Sequence, residues 1–342
     1  MTDIVQEMLK RGVLLTPEAA DELRKRPELV ASLSSSATIV DISDLQVRPV
    51  VTRAPARKQH NVRILKEHAP TKGNAQIGAL VDAYTNRHMF YRSLLEPKAD
   101  RSLIVSISNT KTRGSRVSVI GIVRDVHQGS ATIEDSTGSV NVMTNERLIE
   151  DEGVLVTGPF VSDGVVAETI QFPDIPMGRQ VKTAAEPTAC VFAHSVPENP
   201  ENSVIVVTDA AAKKILVEKL SESNTVVWPN GSSTKIICPK TPCTLNIEGL
   251  VVLVHSVSAT EMQKTTGIDD PEKAAVRLLR SRHLGPNRFV TGDPLLLKEV
   301  PDIICLCTGV PFATNYKGVT IVSPTKEKAY SINLQTREIV PT

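Results

Sequence analysis

The first 26 residues place apolar side chains at helical spacing. Four apolar residues of the segment IVQEML (residues 4–9) fall on one face of a helix, and a glycine follows three residues later. The tripeptide TPE (residues 16–18) then supplies an N-cap residue, a proline at the first helical position and an acid in the first turn. A second helix is expected to follow, and residues 29–33 can form a third short turn. The pattern predicts a small helical docking module over residues 1–43.

The next segment lacks this periodicity. Residues 44–75 mix three prolines with seven basic residues, which is typical of a basic flexible linker. Apolar residues return at helical spacing from residue 77 to residue 95. We therefore expect a helix that leads into the next domain.

Residues 102–170 have an all-β signature. Runs of β-branched residues alternate with short turn sequences: SLIVSIS, VSVIGIVRDV, ATIEDSTGSVNVM, GVLVTGPF and GVVAETI. Five or six strands in a segment of this length suit a small closed barrel, and the OB-fold is the commonest barrel of that size. The lead-in helix and an OB-fold are assigned to residues 76–178.

Strands alternate with helices in residues 179–342. Buried strands are expected at residues 189–194, 203–208, 224–228, 234–238, 249–255, 302–307 and 318–322, with a closing pair in KAYSINL and REIV. Helices are expected at residues 209–220 and from Pro271 to about Arg282. This alternation predicts an α/β domain with a largely buried sheet, in a chain that is multidomain α+β as a whole.

The charge distribution separates one segment from the rest. The chain has 39 Lys and Arg against 38 Asp and Glu, but the stretch from Arg48 to Arg116 has 14 basic residues and four acidic ones. That stretch therefore carries a net charge of +10, and the remainder carries −9. A segment this basic indicates either a polyanionic partner or a solvated linker.

Composition excludes several classes of protein. A hydrophobic fraction of 41% is too high for a wholly disordered chain, and no apolar run approaches the roughly 18 residues of a membrane span. Charged and apolar residues alternate at the N-terminus, unlike a signal peptide. Five cysteines form no disulfide framework in a chain of 342 residues, which indicates a reducing, cytoplasmic location.

The predicted barrel carries part of a nucleic-acid-binding signature. OB-folds bind single strands through a basic groove and aromatic stacking platforms. The basic candidates are Lys111, Arg113, Arg116 and Arg124, whereas Phe160 is the only aromatic residue of the barrel. Nucleic-acid contact and a purely structural barrel with a solvated rim both remain open.

The order of the modules and four strings resemble one family. The strings are VSVIGIVRDV with IEDSTGSVNVM, FPDIP at residues 172–176, PEKAAVRLLRSRHLGP at residues 271–286, and EVPDII followed by NYKGVTIVSP. In this order they resemble the small subunit of the archaeal family D DNA polymerase, which belongs with the B-subunits of eukaryotic replicative polymerases. The resemblance implies an OB-fold beside a calcineurin-like phosphoesterase domain, a four-layer β-sandwich, over residues 179–342.

Archaeal members of that family hold two metal ions, typically manganese, and act as 3′ to 5′ exonucleases. Such a centre needs Asp, His and Asn ligands at several strand ends. Where the family has Asp-x-His, Gly-Asp-x-x-Asp and a strand-end His, this sequence keeps only His194, Asp209 and His255. The segments WPNGSS and CTGVPFA stand where Gly-Asn-His-Asp and Gly-His-x-His would be, and they keep no ligand. The resemblance therefore implies a phosphoesterase fold without a metal site or a catalytic residue.

The surviving residues also have ordinary structural explanations. His255 fits a strand-end residue with a satisfied hydrogen bond, and Asp209 fits the N-cap of an alanine-rich helix. Cys238 with Cys243 and Cys305 with Cys307 lack the two-residue spacing of zinc knuckles. No cofactor is expected.

The resemblance thus implies a non-catalytic accessory subunit of a family D replicative DNA polymerase. The resemblance implies a heterodimer with the large catalytic subunit, contact with the DNA primer-template, and docking of other replication proteins through residues 1–43; no membrane partner is expected. Two alternatives remain: a residual manganese-dependent 3′ to 5′ exonuclease subunit and a free OB protein that binds single-stranded DNA.

Overall fold

The chain forms two compact units. The computed structural model describes residues 4–10, 13–25, 39–40, 60–67, 77–111, 116–162, 164–197, 203–208, 225–229, 237–285, 293 and 295–342. The first unit is Met1–Lys58 and the second is Gln59–Thr342. Within the described residues, no helix is long and apolar enough to cross a membrane.

The N-terminal unit contains the two helices that the sequence predicts. Helix α1 spans Ile4–Lys10 and helix α2 spans Pro17–Lys25. The Ala19 N–H donates to the Thr16 hydroxyl at 3.4 Å, as the N-cap pattern requires. Two short strands, β1 (Leu14–Leu15) and β2 (Ile39–Val40), pair in parallel. The predicted turn at residues 29–33 lies outside the described residues.

The second unit begins with strand β3 (Val62–Glu67) and helix α3 (Ile77–Leu95). Strand β3 lies within the segment that the sequence assigned to a flexible linker, so that assignment is wrong for residues 62–67. The strand forms because it pairs antiparallel with a strand near residue 245. Its alternation is weak in the sequence because five of its six residues are exposed.

Five strands then build a small barrel, and a sixth pairs with one of them. They are β4 (Arg116–His127), β5 (Ser130–Asp135), β6 (Gly138–Met143), β7 (Gly153–Val161), β8 (Gly164–Val166) and β9 (Thr169–Gln171). The strand order is β4-β5-β6-β8-β7, and pairing of β7 with β4 closes the barrel. The β6–β8 pair is parallel and the other pairs are antiparallel. This is the five-stranded Greek-key order of an OB-fold.

The segment SLIVSIS, predicted as the first strand of the barrel, is not one. Ile104 alone forms an isolated bridge to Ser118, and residues 107–109 form a 3₁₀ turn. The Ser102 N–H and hydroxyl both donate to Asp100, and the Ile107 N–H donates to Asp135. These local side-chain bonds compete with a strand ladder.

The remaining strands form a sandwich of two mixed sheets. They are β10 (Ala189–Ala193), β11 (Ser203–Val207), β12 (Thr225–Val227), β13 (Cys243–Ile247), β14 (Leu250–His255), β15 (Ile303–Leu306), β16 (Phe312–Tyr316), β17 (Val319–Ser323), β18 (Tyr330–Asn333) and β19 (Ile339–Pro341). One sheet has the order β12-β11-β10-β18-β19, and the other has the order β16-β17-β15-β14-β13-β3. Because β3 belongs to the second sheet, the barrel is an insertion within the sandwich.

The described part of the sandwich has two large apolar cores and a smaller one, made of Ile205, Val207, Val226 and Trp228 on the other face of the first sheet. The first lies between the sheets and includes Phe192, Val206, Leu245, Val254 and Tyr330. The second lies on the outer face of the second sheet, where helices α4 (Ala259–Thr266) and α5 (Pro271–Arg280) pack. Helix α5 begins where Pro271 predicts, with Asp270 as its N-cap.

Several elements of the sandwich differ from the prediction. Strands β13 and β16 and helix α4 were not predicted, although Ser258 caps α4 through the Glu261 N–H. Of the predicted strand at residues 234–238, Ile237 forms only a bridge to Val227, and residues 234–236 lie outside the described residues. The predicted helix at residues 209–220 also lies outside them.

Candidate functional site

The carboxyl ends of four sandwich strands meet at one cleft. Strands β10 and β11 run parallel in the first sheet, and β14 and β15 run parallel in the second. The residues that directly follow these strands, His194, Thr208, Ser256 and Cys307, all line a cleft of about 570 Å³. In α/β folds, ligands commonly bind at the carboxyl ends of parallel strands. This cleft is therefore where the sandwich would hold a ligand.

The structure does not bring the three vestigial residues together in this cleft. His194 lines it, but His255 lines a separate cavity of about 200 Å³ with Leu278 and Leu284. Asp209 lies outside the described residues. Across the described parts of the chain, no group of three or more His, Cys, Asp or Glu side chains could hold a metal ion.

The environment of His255 favours the neutral imidazole. Burial, followed by the nearby His283, lowers the pKa of His255 to about 4. Among the residues that the structure describes, its Nδ1 has no hydrogen-bond partner, contrary to the expectation of a satisfied strand-end histidine.

Three of the five cysteines are core residues. Cys190, Cys243 and Cys305 are fully buried between the two sheets. Burial raises the pKa values of the Cys190 and Cys305 thiols far above the usual cysteine value. Burial also raises the pKa of the Cys243 thiol to about 12. Because zinc binds thiolates, these neutral thiols act as small apolar core residues.

The basic residues of the barrel do not form one patch. Arg116 and Arg124 lie near opposite ends of β4, roughly 25 Å apart at about 3.2 Å per residue. Each has a carboxylate partner: Arg116 pairs with Glu168 at 2.8 Å, and Arg124 pairs with Glu134 at 2.9 Å. Lys111 is exposed, and Arg113 lies outside the described residues.

The barrel face that OB-folds use for oligonucleotides lacks a stacking platform. That face consists of the second and third strands, here β5 and β6. Its outward side chains are Ser130, Thr132, Glu134, Ser139, Asn141 and Met143. The predicted aromatic residue, Phe160, packs against the barrel core instead.

A buried ion pair joins the barrel to the sandwich. Glu152, just before β7, contacts Arg277 of α5 through both carboxylate oxygens, each at 2.8 Å. The Glu152 carboxylate also accepts the Ile149 N–H at 2.7 Å. Arg277 lies over the ring of Phe172, 4.4 Å from its centroid. Burial raises the pKa of Glu152, and Arg277 acts against that shift.

A second network ties α3 to both domains. Arg87 of α3 contacts Asp151 of the barrel at 2.7 Å and Asp293 of the sandwich at 2.6 Å. His283 accepts the Gly285 N–H at Nδ1, which assigns its ring proton to Nε2, and Nε2 donates to Asp293 at 3.1 Å. Burial alone would raise the pKa of Asp293, but the His283 hydrogen bond and Arg87 hold it below its usual value.

The segment that leaves the barrel forms a third connection. Lys98, after α3, donates to the carbonyls of Phe172 and Pro173, each at 2.7 Å. Asp174 accepts from Tyr316 at 3.1 Å and from Lys317 at 2.6 Å. Burial would raise the pKa of Asp174, but the hydrogen bonds from Lys317, the Ile175 N–H and Tyr316, together with the charge of Lys317, outweigh burial and lower the pKa.

Sequence reasoning did not identify this junction. Part of the junction comes from strings that carried the family resemblance but no predicted site: Phe172 and Asp174 from FPDIP, Arg277 and His283 from PEKAAVRLLRSRHLGP, and Tyr316 and Lys317 from NYKGVTIVSP. The rest comes from other parts of the chain: Arg87, Lys98, Asp151, Glu152 and Asp293. The sequence signal for this junction is the presence of acidic and basic residues between the apolar positions of these strings.

The sequence matches no protein-family model and no curated protein. Solved structures that resemble part of the chain include the following three. The telomere capping protein Ten1 from Saccharomyces pombe is 19% identical with a TM-score of 0.19, over 20% of this chain and 78% of that chain. The S. pombe Stn1–Ten1 complex is 17% identical with a TM-score of 0.19, over 21% and 77%. The hypothetical protein ygiW from E. coli is 17% identical with a TM-score of 0.18, over 22% and 91%.

Proposed function

We propose that this protein is a non-catalytic scaffold subunit of a family D replicative DNA polymerase. In this proposal the sandwich is a calcineurin-like phosphoesterase domain that has lost its metal centre. The barrel and sandwich together bind the catalytic large subunit. Residues 1–43 serve as a docking module for another replication protein, and the basic part of the chain assists contact with the primer-template.

The observation that carries the proposal is the junction between barrel and sandwich. A scaffold must hold its binding surfaces in a fixed relation, and the Glu152–Arg277 pair, the Arg87 network and the Asp174 contacts fasten one domain to the other. A barrel inserted between β3 and β10 of a two-sheet sandwich also has the module order that the family resemblance implies.

The side chains of the strand-end cleft support a non-catalytic role. A two-metal phosphodiesterase needs carboxylate, imidazole and amide ligands that fix the geometry and balance the charge of both ions. Among the described residues, His194, Thr208, Ser256 and Cys307 line the cleft at the strand ends, and Glu327 supplies a single carboxylate. Threonine and serine hydroxyls are poor substitutes for the carboxylates of such a centre.

Co-expression with the family D large subunit of the same organism tests the proposal. An affinity tag on this chain should recover both chains as a stable complex after washing at moderate salt. Recovery of this chain alone would overturn the proposal.

A nuclease assay on the full chain distinguishes the enzymatic alternative. We expect no manganese-dependent degradation of a primer with a 3′ mismatch. Degradation that is abolished in both the Asp209→Ala and the His194→Ala variants would replace the scaffold proposal with a nuclease.

A further inference from the structure

The outer face of the second sheet is only partly covered. Cross-strand pairing places five residues in one row on that face, in the order Ile321, Ile304, Leu253, Thr244 and Lys66. The first three belong to the core beneath helices α4 and α5, and that core contains none of the described residues of β13 or β3. The row therefore passes from a covered half of the sheet to the half formed by β13 and β3, whose outward side chains are partly or fully exposed.

An apolar groove lies over this second half. It has a volume of about 440 Å³, and it is continuous with the covered core because Leu253 belongs to both. Its other apolar walls include Leu65, Val251, Leu297 and Pro301. The core of the sandwich thus continues into a concave apolar surface that α4 and α5 do not fill.

A bulge in β3 brings Leu65 to the groove. The register shifts between the pairs Leu245–Ile64 and Thr244–Lys66, which leaves Leu65 without an opposite residue. Leu65 and Lys66 both line the groove, and Leu65 is 52% exposed. Because a regular strand points consecutive side chains to opposite faces, the bulge is what places this apolar and this basic residue on the same face.

The rim of the groove is mainly basic. Lys66 and Lys298 stand at it, with Glu299 as an acidic residue. Arg63 lies on the same face of the sheet, because it pairs opposite Asn246, which alternates with the buried core residues of β13. Three basic residues and one acidic residue leave a positive excess. An occupant that complements this charge carries carboxylates along its edges.

The uncovered half is about as wide as one α-helix. Adjacent strands lie about 4.8 Å apart, so the two spacings from β14 to β3 measure about 10 Å, and a helix with its side chains is about 10–12 Å wide. The five residues of β13 extend about 16 Å, which is the length of about three helical turns. One short helix therefore fits beside the layer that α4 and α5 form.

We propose that this groove binds a short amphipathic helix of a partner protein. Apolar anchors of that helix, at positions i, i+3, i+4 and i+7, enter the groove between Leu65, Val251 and Leu297. Acidic residues beside the anchors pair with Lys66, Lys298 and Arg63. The bound helix extends the outer helical layer over β13 and β3, as helices cover the faces of sheets in layered α/β folds.

The lining favours a polypeptide over a nucleic acid. Bases stack on aromatic rings, and none of the described residues that line the groove is aromatic. Such a helix need not come from a polymerase subunit, so this proposal goes beyond the proposed function and can fail without it. The co-expression result likewise does not bear on the groove.

A library displayed on a stable helical scaffold tests the proposal. The exposed positions of about eleven residues, or three turns, of one scaffold helix are randomised, and binders of the full chain are selected. Enriched binders should carry apolar residues at helical spacing, with Asp or Glu beside them. The affinity of the best binder is then measured by fluorescence anisotropy.

Two groove variants should each weaken this binder at least about tenfold: Leu65→Glu, and Lys66→Glu combined with Lys298→Glu. Lys273→Glu is the matched control, because Lys273 is an exposed lysine on α5 that is not among the described residues lining the groove. The control should leave the affinity unchanged. Replacing the acidic residues of the binder with lysine should restore its affinity for the Lys66→Glu/Lys298→Glu variant.

The proposal fails if the library yields no binder, or if the enriched binders bind the wild type and both groove variants alike. Enrichment of Lys or Arg in place of Asp or Glu beside the apolar anchors would also overturn it. Binding of an oligothymidylate that is abolished in Lys66→Glu/Lys298→Glu, without any enriched binder, would assign these cations to nucleic acid instead.

Discussion

Glu152 of the barrel and Arg277 of helix α5 form a buried ion pair between two domains. The carboxylate and guanidinium are 2.8 Å apart, and the two side chains are only 1% and 10% exposed. Both charges are shielded from water, so hydration cannot compensate if one partner is removed. The pair therefore fixes the barrel on the sandwich in a way that a surface salt bridge would not.

Arg277→Leu should destabilise the protein by about 3–5 kcal/mol, because it leaves the Glu152 carboxylate buried without its partner. Urea unfolding followed by circular dichroism measures the change in stability. The double variant Glu152→Leu/Arg277→Leu is the control and should recover most of the stability, since it buries no charge. Equal destabilisation in the single and double variants would show that the pair matters only as packing.

The Asp293 network should make stability depend on acid pH. Its pKa is lowered in the folded state, so its contribution is present above the unfolded carboxyl pKa of about 3.9 and is lost as pH falls through the folded value. In the Asp293→Asn variant, the free energy of unfolding should therefore decrease less steeply as the pH falls below about 4. Unfolding curves measured from pH 6 to pH 3 test this. An unchanged slope in the variant would contradict the role of Asp293.

His255 should remain neutral well below the usual histidine range. Its folded pKa of about 4 is lower than the ordinary histidine pKa of 6.5, so the unfolded chain takes up a proton first. Stability should accordingly decrease as pH falls from about 6.5 towards 4, and His255→Gln should remove part of that decrease. Titration of the ring proton signals by NMR gives the pKa directly. A midpoint near 6.5 would contradict the buried position of the ring.

The fold was predictable where β-branched runs or helical spacing are dense. Strands β4 to β7 form where those runs predict strands. Helix α3 forms over the predicted residues, but Ile77, Leu80 and Met89 of its predicted apolar face are exposed, and Tyr91 and Leu95 are buried instead. Strand β3 was missed because it is an edge with charged residues at half of its positions, and its neighbour β13 follows closely on Pro239 and Pro242. Short strands of this kind form through their partners, which a local pattern does not contain.

The junction was beyond sequence reasoning for a different reason. Glu152 and Arg277 are separated by 125 residues, and each looks like an ordinary surface charge in its own segment. Conversely, the sequence named Arg116 and Arg124 together as candidates for one basic groove, but both lie on strand β4. Eight residues of extended strand place them roughly 25 Å apart, because a strand rises about 3.2 Å per residue.

Contact between the barrel and DNA stays a prediction that charge changes can test. Changing Arg113 and Arg116 to glutamate should weaken template binding by the assembled complex. The salt slope, which is the slope of the logarithm of the binding constant against the logarithm of the salt concentration, should decrease in magnitude by about 0.9 for each phosphate that the protein no longer neutralises. Since Arg116 pairs with Glu168, Glu168→Gln should strengthen binding if Arg116 reaches a phosphate. An unchanged salt slope in the Arg113→Glu/Arg116→Glu variant would leave the basic segment as a solvated surface.

As a scaffold, the barrel and sandwich together should hold one catalytic large subunit. The decisive quantity is the mass, by light scattering after size-exclusion chromatography, of an equimolar mixture of this chain and the family D large subunit. We expect a single species with the summed mass of one copy of each chain. Two separate peaks, each with the mass of one chain alone, would contradict the scaffold role.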